Sequence, residues 1–377
     1  MLRNKNKIIR SVTVSQSLDF AREVMIKMRA MGYEMVAVTS PGPELDRLRD
    51  MDGFHCVEVP MQRHISVVSD LRSLIRMIGV FRKEKPQMVH SMTPKAEMIC
   101  MVAAWLTGVP VRIHTFTGLV WPAATGLKRR ILMLTDWLTC ACATHVIPEG
   151  QGVLNDLRDG GITKKPMKVL GYGNVMGVDM ERFDPARFGP KRDSSVFTFV
   201  FVGRIVGDKG INELVEAFVR LHGVHKSTRL VLVGKYEHGL DPVSDTTRGL
   251  IDTNDGIEAC GAKYGDDLLQ MYAEADCFVM PSYREGFPNT VLEAGAMGLP
   301  SIVTDINGSR EIIVDGKNGL IVPSKNAAAL HDAMERMITC ADARETMRGN
   351  AREMIASRFE KNFVQKCQIE FYKEILK

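Results

Sequence analysis

The sequence is poor in the features that mark disulfide-bonded, metal-binding or nucleic-acid-binding proteins. It has 8 cysteines in 377 residues, and the closest pair, Cys140 and Cys142, lacks the two-residue spacer of a redox motif or zinc knuckle. The net charge is only +4, and no dense basic cluster alternates with aromatic residues as strand-binding grooves require. We therefore expect free thiols in a reducing cytoplasm and no nucleic-acid partner.

Long apolar runs are also missing. The longest uncharged stretch, Met98 to Val111, contains a glycine and a proline and is shorter than the ~20 residues that span a bilayer. Residues Met1 to Lys7 lead into a predicted strand rather than into the apolar core of a signal peptide. The sequence thus predicts a cytoplasmic protein without a membrane span.

What is present is an alternation of short β-like runs with helix-length amphipathic segments, the pattern of parallel sheets covered by helices. A chain of 377 residues accommodates two such domains. The stretch 172–190 contains glycine and proline without periodicity and is interpreted as the linker. We predict an N-terminal domain at 1–185, a C-terminal domain at 186–358 and a final helix at 359–377.

The predicted strands are short and fall between helical segments. They cover 8–14, 35–39, 55–59, 88–91, 112–115 and 145–148 in the first half, and 198–202, 230–233 and 277–281 in the second. The clearest helix is predicted at 68–82, where apolar residues repeat at helical spacing: Leu71, Leu74, Ile75, Ile78 and Phe81.

Two glutamates, Glu285 and Glu293, stand eight positions apart where a loop becomes a helix. Gly286 allows close approach of the backbone, and Pro288 suits the first turn of a helix. The amides of residues 289–291 are therefore predicted to point outward and to hold an anion. A phosphate fits this position, with each glutamate free to accept hydrogen bonds from hydroxyl groups beside it.

The alternative is that these glutamates are ordinary solvated residues, which is the usual state of glutamates on helix surfaces. Their context favours function, because an apolar strand at 275–280 precedes them and another at 298–305 follows them. Glu285 is thus predicted just beyond the carboxyl end of a buried parallel strand, where open α/β sheets bind their ligands.

The paired-glutamate loop and its helix resemble the signature of the family-4 retaining glycosyltransferases. Residues 201–210 are similar to that family's diphosphate-clamping Arg/Lys loop, and 305–311 and 318–323 match it as well. The N-terminal half resembles more narrowly bacterial enzymes that add a sugar to an undecaprenyl-diphosphate-linked glycan. The residues that carry this second resemblance are 63–66, 70–71, 85–86, 89–90, 93–96 and 114–115.

This resemblance implies a GT-B architecture. In that α/β fold, two doubly wound, Rossmann-like parallel-sheet domains face each other across a cleft, with the acceptor on the N-terminal domain and the nucleotide-sugar donor on the C-terminal one. The final helix at 359–377 is then expected to pack back on the first domain.

Arg204 and Lys209 follow a predicted strand and Gly203. A guanidinium with an ammonium nearby can neutralise a departing diphosphate without magnesium, although such a pair elsewhere is often plain surface charge. The acidic pair Asp266 and Asp267 lies at a predicted helix start and suits capping better than metal binding. We expect catalysis with no metal and no other cofactor.

The resemblance also implies the donor contacts for a UDP-sugar. Glu293 resembles the residue that takes both ribose hydroxyls, and Glu285 resembles the one that holds the donor sugar. The further expected donor contacts, mainly through backbone groups, are Gly286, Phe287, Asn289, Thr290, Gly203 and, near the base, Ala262.

Four residues of the N-terminal half are further candidates. His114 is predicted to end a strand where the family places a histidine facing the donor sugar, although an isolated histidine is more often structural. Lys95 is predicted to meet the acceptor diphosphate, with a solvated lysine as the alternative. Ser15 and Gln16 stand where many family members carry a glycine pair and are the other acceptor-side candidates.

The segment 119–138 combines leucines, an isoleucine and two tryptophans with Lys128, Arg129 and Arg130. This mixture suits an interfacial helix on an anionic leaflet, and an ordinary amphipathic core helix with a basic turn is the alternative. The lipid-linked acceptor implied by the resemblance favours the membrane, at the inner face of the plasma membrane.

The function implied is retaining transfer of an N-acetylhexosamine or a hexose from a UDP-sugar to a lipid-diphosphate-linked glycan. Two other functions fit the same scaffold: a UDP-sugar 2-epimerase, which needs the diphosphate clamp but no acceptor, and a non-catalytic sugar-nucleotide-binding subunit.

Overall fold

The computed structural model describes residues 6–50, 54–61, 66–189, 193–237, 239 and 241–377, with the backbone alone for 67 and 94–96. It contains two compact units. The N-terminal unit comprises the chain up to Met176 together with Asn362–Lys377, and the C-terminal unit is Gly177–Lys361. Of the predicted motif at 63–66, only Ser66 lies within the described residues.

The boundary between the units lies before Gly177 rather than after residue 185 as predicted. The reason is that Val178 pairs with the end of the C-terminal unit: its amide donates to the carbonyl of Phe359 at 2.8 Å, and its carbonyl accepts from the amide of Lys361 at 2.9 Å. The ammonium of Lys361 lies 3.0 Å from the carboxylate of Asp179. These contacts attach the start of the predicted linker to the C-terminal unit.

The N-terminal unit is built on six parallel strands in the order β3-β2-β1-β4-β5-β6. The strands are β1 Lys7–Ser11, β2 Glu34–Thr39, β3 His55–Glu58, β4 Met88–Met92, β5 Val111–Phe116 and β6 His145–Pro148. Since β1 lies between β2 and β4, the direction of strand addition reverses there, and the carboxyl ends of β1 and β4 flank the switch point of the sheet.

Helices cover both faces of this sheet. One core joins α3 Val67–Glu84, α4 Pro94–Leu106, α5 Gly126–Cys142 and α6 Gln151–Asp159 to one face. The other core joins α1 Asp19–Ala30, α2 Pro43–Asp50 and α14 Lys361–Ile375 to the opposite face. Neighbouring strand residues such as Ile8 and Ile9 enter different cores, and both are fully buried. This two-sided burial explains why the strands are continuously apolar.

The C-terminal unit repeats the plan with six parallel strands in the order β12-β11-β10-β7-β8-β9. The strands are β7 Phe197–Val202, β8 Thr228–Val233, β9 Ile257–Gly261, β10 Cys277–Met280, β11 Ser301–Thr304 and β12 Gly319–Val322. The helices are α7 Ile211–Val224, α8 Asp245–Thr253, α9 Gly265–Ala273, α10 Asn289–Ala296, α11 Ser309–Ile312, α12 Ala327–Thr339 and α13 Ala341–Phe359. Here β7 and β10 flank the switch point.

The predicted fold class is confirmed by these two doubly wound sheets, and the predicted strands agree with the observed ones to within a few residues. The helix predicted at 68–82 is confirmed as α3. Of its regularly spaced apolar residues, Phe81 is buried, whereas Leu71 and Ile75 are 56% and 61% exposed. The apolar stripe is wider than the face that packs on the sheet, so helical spacing alone did not distinguish core from surface.

Within the described part of the chain, none of the helices combines the length and apolar character needed to cross a bilayer.

Candidate active site

The candidate site in the C-terminal unit is formed by two loops at the switch point of its sheet. β10 pairs with β7 through the register Cys277 to Phe199 and Phe278 to Val200. The cation loop (203–210) follows β7 and the glutamate loop (281–288) follows β10, so both leave the sheet at the same edge. This is the position at which doubly wound sheets bind nucleotides.

The two loops are held in close contact. Gly210 has a φ of +71°, and a Cβ at this position would lie 2.1 Å from the carbonyl oxygen of Pro281, so only glycine fits. The amide of Tyr283 donates to the carbonyl of Asp208 at 2.8 Å. The guanidinium of Arg284 lies 3.1 Å from the carboxylate of Asp208. These contacts bring the charged side chains of the two loops together.

Lys209 and Glu285 form an ion pair across this contact, between Nζ and Oε1. Their side chains are 16% and 15% exposed, so the pair is shielded from most of the solvent yet reachable by a ligand. A carboxylate here can accept hydrogen bonds from sugar hydroxyls, and the adjacent ammonium can meet a phosphate. The structure therefore joins two residues that the sequence separated by 76 positions.

Arg204 points to a different partner. Its guanidinium lies 2.9 Å from the carboxylate of Glu237, and both side chains are well exposed. The amide of Gly203 donates to the carbonyl of Val233 at 3.0 Å, so this predicted donor contact uses its amide within the sheet. Lys209 rather than Arg204 is the cation that the structure places against Glu285.

Glu293 lies in α10 with its carboxylate held from one side. The hydroxyl of Tyr272, a residue of α9, donates to Oε2 of Glu293 at 3.0 Å. Burial raises the pKa of Glu293 to about 7, against the opposing effect of the Tyr272 hydrogen bond. Tyr272 is fully buried and was not predicted from the sequence, since nothing local marks a tyrosine of a separate helix as a partner of this glutamate.

The start of α10 differs in detail from the prediction. Pro288 is the residue that precedes the helix, and α10 begins at Asn289. The amide of Val291 donates to the carbonyl of Pro288 at 3.1 Å, so it does not point outward to an anion as expected. The hydroxyl of Thr290 lies 3.9 Å from the sulfur of Met280.

Three further predicted donor contacts line the same edge. Phe287 is buried against Phe359, with ring centroids 5.3 Å apart, which leaves only its backbone for a ligand. The carbonyl of Gly286 lies so close to Gly308 that a Cβ there would be 2.3 Å away. Ala262 follows β9, whose last carbonyl, at Gly261, accepts from the amide of Gly234 at 3.0 Å.

The switch point of the N-terminal unit carries hydroxyl groups. The amide of Thr13, just after β1, donates to Oγ1 of Thr93, just after β4, at 3.0 Å. Ser15 is buried, and its hydroxyl donates to Oε2 of Glu44 at 2.5 Å, which lowers the pKa of Glu44. Gln16 is exposed. The predicted side-chain contact of Lys95 lies outside the described atoms, although its backbone is in the first turn of α4.

His114 lies inside β5 and is fully buried, rather than closing the strand at an open edge. Its Nδ1 hydrogen-bonds with the hydroxyl of Ser91 at 2.8 Å, and its Nε2 is 2.9 Å from Oε2 of Glu97. Burial lowers the pKa of His114 to about 3. Its ring is therefore neutral at pH 7 and enclosed by the core of the N-terminal unit.

Glu97 and Asp136 form a hydrogen-bonded carboxyl pair beside this histidine. Burial raises the pKa of each to about 8, and the pair joins α4 to α5. Neither residue is predicted from the sequence, because a single acid on an apolar helix carries no local signal of a buried partner.

Two Rossmann-like units, one with a cation and a carboxylate paired at the edge where such sheets bind nucleotides, are the architecture of the GT-B class of glycosyltransferases. The comparisons with known proteins agree. A model of "Glycosyl transferases group 1" matches residues 183–354, and a model of the "Glycosyl transferase 4-like domain" matches residues 19–173. The chain belongs to this glycosyltransferase family.

Its relatives include bacterial polysaccharide enzymes. It is 31% identical over 98% of both chains to the capsular polysaccharide biosynthesis glycosyltransferase CapM of Staphylococcus aureus. It is 28% identical to UDP-Gal:alpha-D-GlcNAc-diphosphoundecaprenol alpha-1,3-galactosyltransferase of Escherichia coli, over 84% of this chain and 83% of that one. A crystal structure of a Rickettsia africae glycosyltransferase shares the fold, with a TM-score of 0.80, 20% identity and 99% of both chains covered.

The chain is thus a glycosyltransferase whose relatives act in polysaccharide biosynthesis, some of them on undecaprenyl-diphosphate-linked glycans.

Proposed function

We propose that the protein is a retaining, metal-independent glycosyltransferase that moves an N-acetylhexosamine or a hexose from a UDP-sugar to a lipid-diphosphate-linked glycan. The observation that carries this proposal is the Lys209–Glu285 pair at the switch point of the C-terminal unit. Lys209 meets the donor diphosphate and Glu285 holds the donor sugar. Glu293, oriented by Tyr272, accepts the ribose hydroxyls.

The charge requirements of the reaction fit these residues. Breaking the glycosidic bond leaves a diphosphate whose negative charge must be stabilised in the transition state. When the donor binds, the ammonium of Lys209 separates from Glu285 and pairs with the phosphate. The exposed guanidinium of Arg204 separates from Glu237 and supplies a second cation. Two side-chain cations supply the charge that magnesium supplies elsewhere, which is the basis for proposing metal independence.

The proposed chemistry is a front-side displacement. The acceptor oxygen bonds to the anomeric carbon on the face from which the diphosphate departs, and the acceptor proton passes to a leaving phosphate oxygen. One C–O bond forms and one breaks on the same face of the sugar, so the configuration is retained. His114 takes no proton in this scheme, because it is buried with its pKa lowered to about 3. Its proposed role is to position β5 within the N-terminal unit rather than to act as a general base.

The names of the relatives support the substrate class. The Escherichia coli relative takes UDP-Gal and a diphosphoundecaprenol-linked GlcNAc. We infer a lipid diphosphate as the acceptor of this chain, bound at the N-terminal unit near Ser15, Gln16 and Lys95. We further propose that the enzyme works at the cytoplasmic face of the plasma membrane, with α5 at the anionic surface.

The test is a donor screen against undecaprenyl-diphosphate-linked acceptors, scored by product mass, with anomeric configuration read by NMR and each reaction repeated in EDTA. We expect an α-linked product from an α-linked donor and full activity in the chelator. An inverted product contradicts retention, and loss in EDTA that magnesium or manganese restores contradicts metal independence. Conversion of UDP-N-acetylhexosamine without acceptor identifies an epimerase instead, and UDP-sugar binding without any turnover identifies a non-catalytic subunit.

A further inference from the structure

The outer surface of the N-terminal unit carries an unusual concentration of apolar side chains. Of the 14 exposed large apolar side chains in the described part of the protein, nine lie on α3, α4 and α5 and are 42% to 73% exposed. They are Val68, Leu71 and Ile75 on α3, Trp105 and Leu106 on α4, and Leu127, Ile131, Leu134 and Trp137 on α5. The three helices pack side by side on one face of the sheet, since α4 contacts both α3 and α5.

The charge on this surface has one sign. The exposed charged side chains described on α3 and α5 are all basic: Arg72, Arg76, Arg82 and Lys83 on α3, and Lys128, Arg129 and Arg130 on α5. The acids of the three helices are turned inward. Glu84, Glu97 and Asp136 are buried, and Asp70 is half-buried with its carboxylate accepting from the amide of Ser66 at 3.3 Å.

The opposite face of the same unit shows that this segregation is local. There α14 exposes Lys366 and Lys373 together with Glu370 and Glu374, so its surface is charge-mixed. The whole chain is nearly balanced, with 49 basic and 45 acidic residues. The combination of exposed basic and exposed apolar side chains, without exposed acids among the described residues, is therefore specific to α3 and α5. The overall composition of the chain does not account for it.

We infer that α3, together with the end of α4 and with α5, forms one docking surface for an anionic lipid bilayer. The inference rests on the proposed lipid-linked acceptor and extends the contact from α5 to a second helix, α3. Interspersed cations and aliphatic side chains match the phosphate and acyl layers of a leaflet. A second copy of the chain is a poor occupant, because the same cations would then face one another without acids.

The experiment measures sedimentation of the full chain with vesicles of phosphatidylcholine containing 30 mol% phosphatidylglycerol, at several salt concentrations. The α3 variant Arg72→Gln/Arg76→Gln removes two cations, and the matched control Lys366→Gln/Lys373→Gln removes two from α14 on the opposite face. Since each basic residue near an anionic leaflet contributes about a fivefold factor, the α3 variant should bind at least ~10-fold more weakly and the control less than ~2-fold.

An α5 variant, Lys128→Gln/Arg130→Gln, should weaken binding by a similar factor. It leaves out Arg129, whose guanidinium stacks over Trp121 at 5.5 Å and so has a structural contact. The apolar variant Leu71→Ser/Ile75→Ser should lower the binding that persists at high salt, where exposed charges are screened within a few ångströms. Each variant is checked for an unchanged melting temperature before binding is read.

Several outcomes overturn the inference: equal binding by the α3 variant and the parent, an equal loss in the α14 control, or an α3 variant that changes the oligomeric mass instead of vesicle binding. Transfer to a water-soluble short-chain acceptor separates this inference from the proposed function. Vesicle binding without transfer contradicts the function and leaves the surface standing. Transfer without vesicle binding contradicts the surface and leaves the function standing.

Discussion

At the scale of single residues, the central feature is that Lys209 and Glu285 are each other's partners. Mutual pairing stabilises both charges in a partly enclosed position, and in our proposal the donor separates the pair when it binds. If the donor separates this ion pair on binding, the effects of replacing Lys209 and Glu285 on kcat should depend on each other. Side-chain replacement can detect this dependence.

We predict that Lys209→Met lowers kcat at least ~100-fold, because a preorganised cation is lost from the transition state. Glu285→Gln should lower kcat by roughly 30-fold to 1000-fold, the effect of about 2 to 4 kcal/mol of barrier. Because the two side chains are in contact, the double variant should be less impaired than the product of the single effects. Steady-state kinetics of the four proteins measures this coupling.

The matched control is the exposed ion pair of Arg220 and Glu216 on α7, whose nitrogen and oxygen lie 2.5 Å apart. Replacing both with glutamine should change kcat less than ~2-fold, as expected for a surface pair. Strictly multiplicative effects at Lys209 and Glu285 would show that the two act independently.

The second residue prediction concerns Glu293, which binds the unreacting ribose in our proposal. Its pKa is raised to about 7, so protonation below that pH should weaken UDP binding. Tyr272→Phe removes the hydrogen bond that stabilises the carboxylate, so the fall in affinity should begin at a higher pH. Calorimetric titration of UDP from pH 6 to 9 measures both effects.

Glu293→Gln serves as the reference for the pH dependence of UDP affinity. In this variant the nucleotide phosphates still titrate, but the carboxyl group at position 293 is absent. The contrast with Glu285 is equally informative: Glu293→Ala should mainly weaken UDP binding, and Glu285→Ala should mainly lower kcat. If Glu285→Ala weakens UDP and Glu293→Ala does not, the two roles are reversed.

At the scale of elements, the site depends on the distance between two loops. Gly210 sets that distance, since its backbone conformation and its contact with Pro281 both exclude a side chain. The glutamate loop is likewise placed against Gly308 after β11. The elements thus position Lys209 and Glu285 through backbone contacts, which explains why charged residues distant in the chain meet.

We predict that Gly210→Ala destabilises the protein by roughly 1 to 3 kcal/mol, through strain at a positive φ and a clash with the Pro281 carbonyl. Activity should fall further than stability alone explains, because Lys209 moves away from Glu285. Gly249→Ala in α8 is the control: a Cβ there meets nothing within 4 Å, so stability should be equal or higher. Thermal unfolding and kcat of both variants decide the matter, and a Gly210→Ala protein with parental stability and turnover would contradict this account.

At the scale of the whole molecule, the buried groups of the N-terminal unit make stability depend on pH in two opposite ways. The pKa of His114 is lowered from an ordinary 6.5 to about 3, so the unfolded chain binds a proton that the native one lacks between these values. Stability is therefore lost as the pH falls below about 6.5. The buried carboxyl pair has the opposite effect and lowers stability as the pH rises.

The pKa of Glu97 rises from 4.5 to about 8 and that of Asp136 from 3.8 to about 8. The native state then holds protons that the unfolded chain has released, and the free energy of unfolding falls as the pH rises toward 8. Between pH 6.5 and 8 we predict that Glu97→Gln reduces this fall by roughly 1 kcal/mol per pH unit. Urea unfolding at three pH values measures it, with the exposed Glu370→Gln as control, and an unchanged pH profile in Glu97→Gln would show that Glu97 is ionised in the native protein.

The sequence by itself determined the fold class and the chemical character of the glutamate loop. Strands such as β7 and β10 are continuously apolar because they are buried on both faces, and this is a local pattern. Glu285, Gly286 and Glu293 likewise lie close together in the chain, with the glutamates eight positions apart, so their arrangement on a loop and a helix follows from nearby residues alone.

Only the tertiary structure decided which groups meet. Lys209 pairs with Glu285, and Tyr272 with Glu293, because strand order places distant segments side by side. The same packing buried His114 with two unpredicted carboxyl groups and left Leu71 and Ile75 of α3 exposed. Periodicity records which side chains share a face of a helix, but burial depends on what packs against that face, and this is set by the rest of the chain.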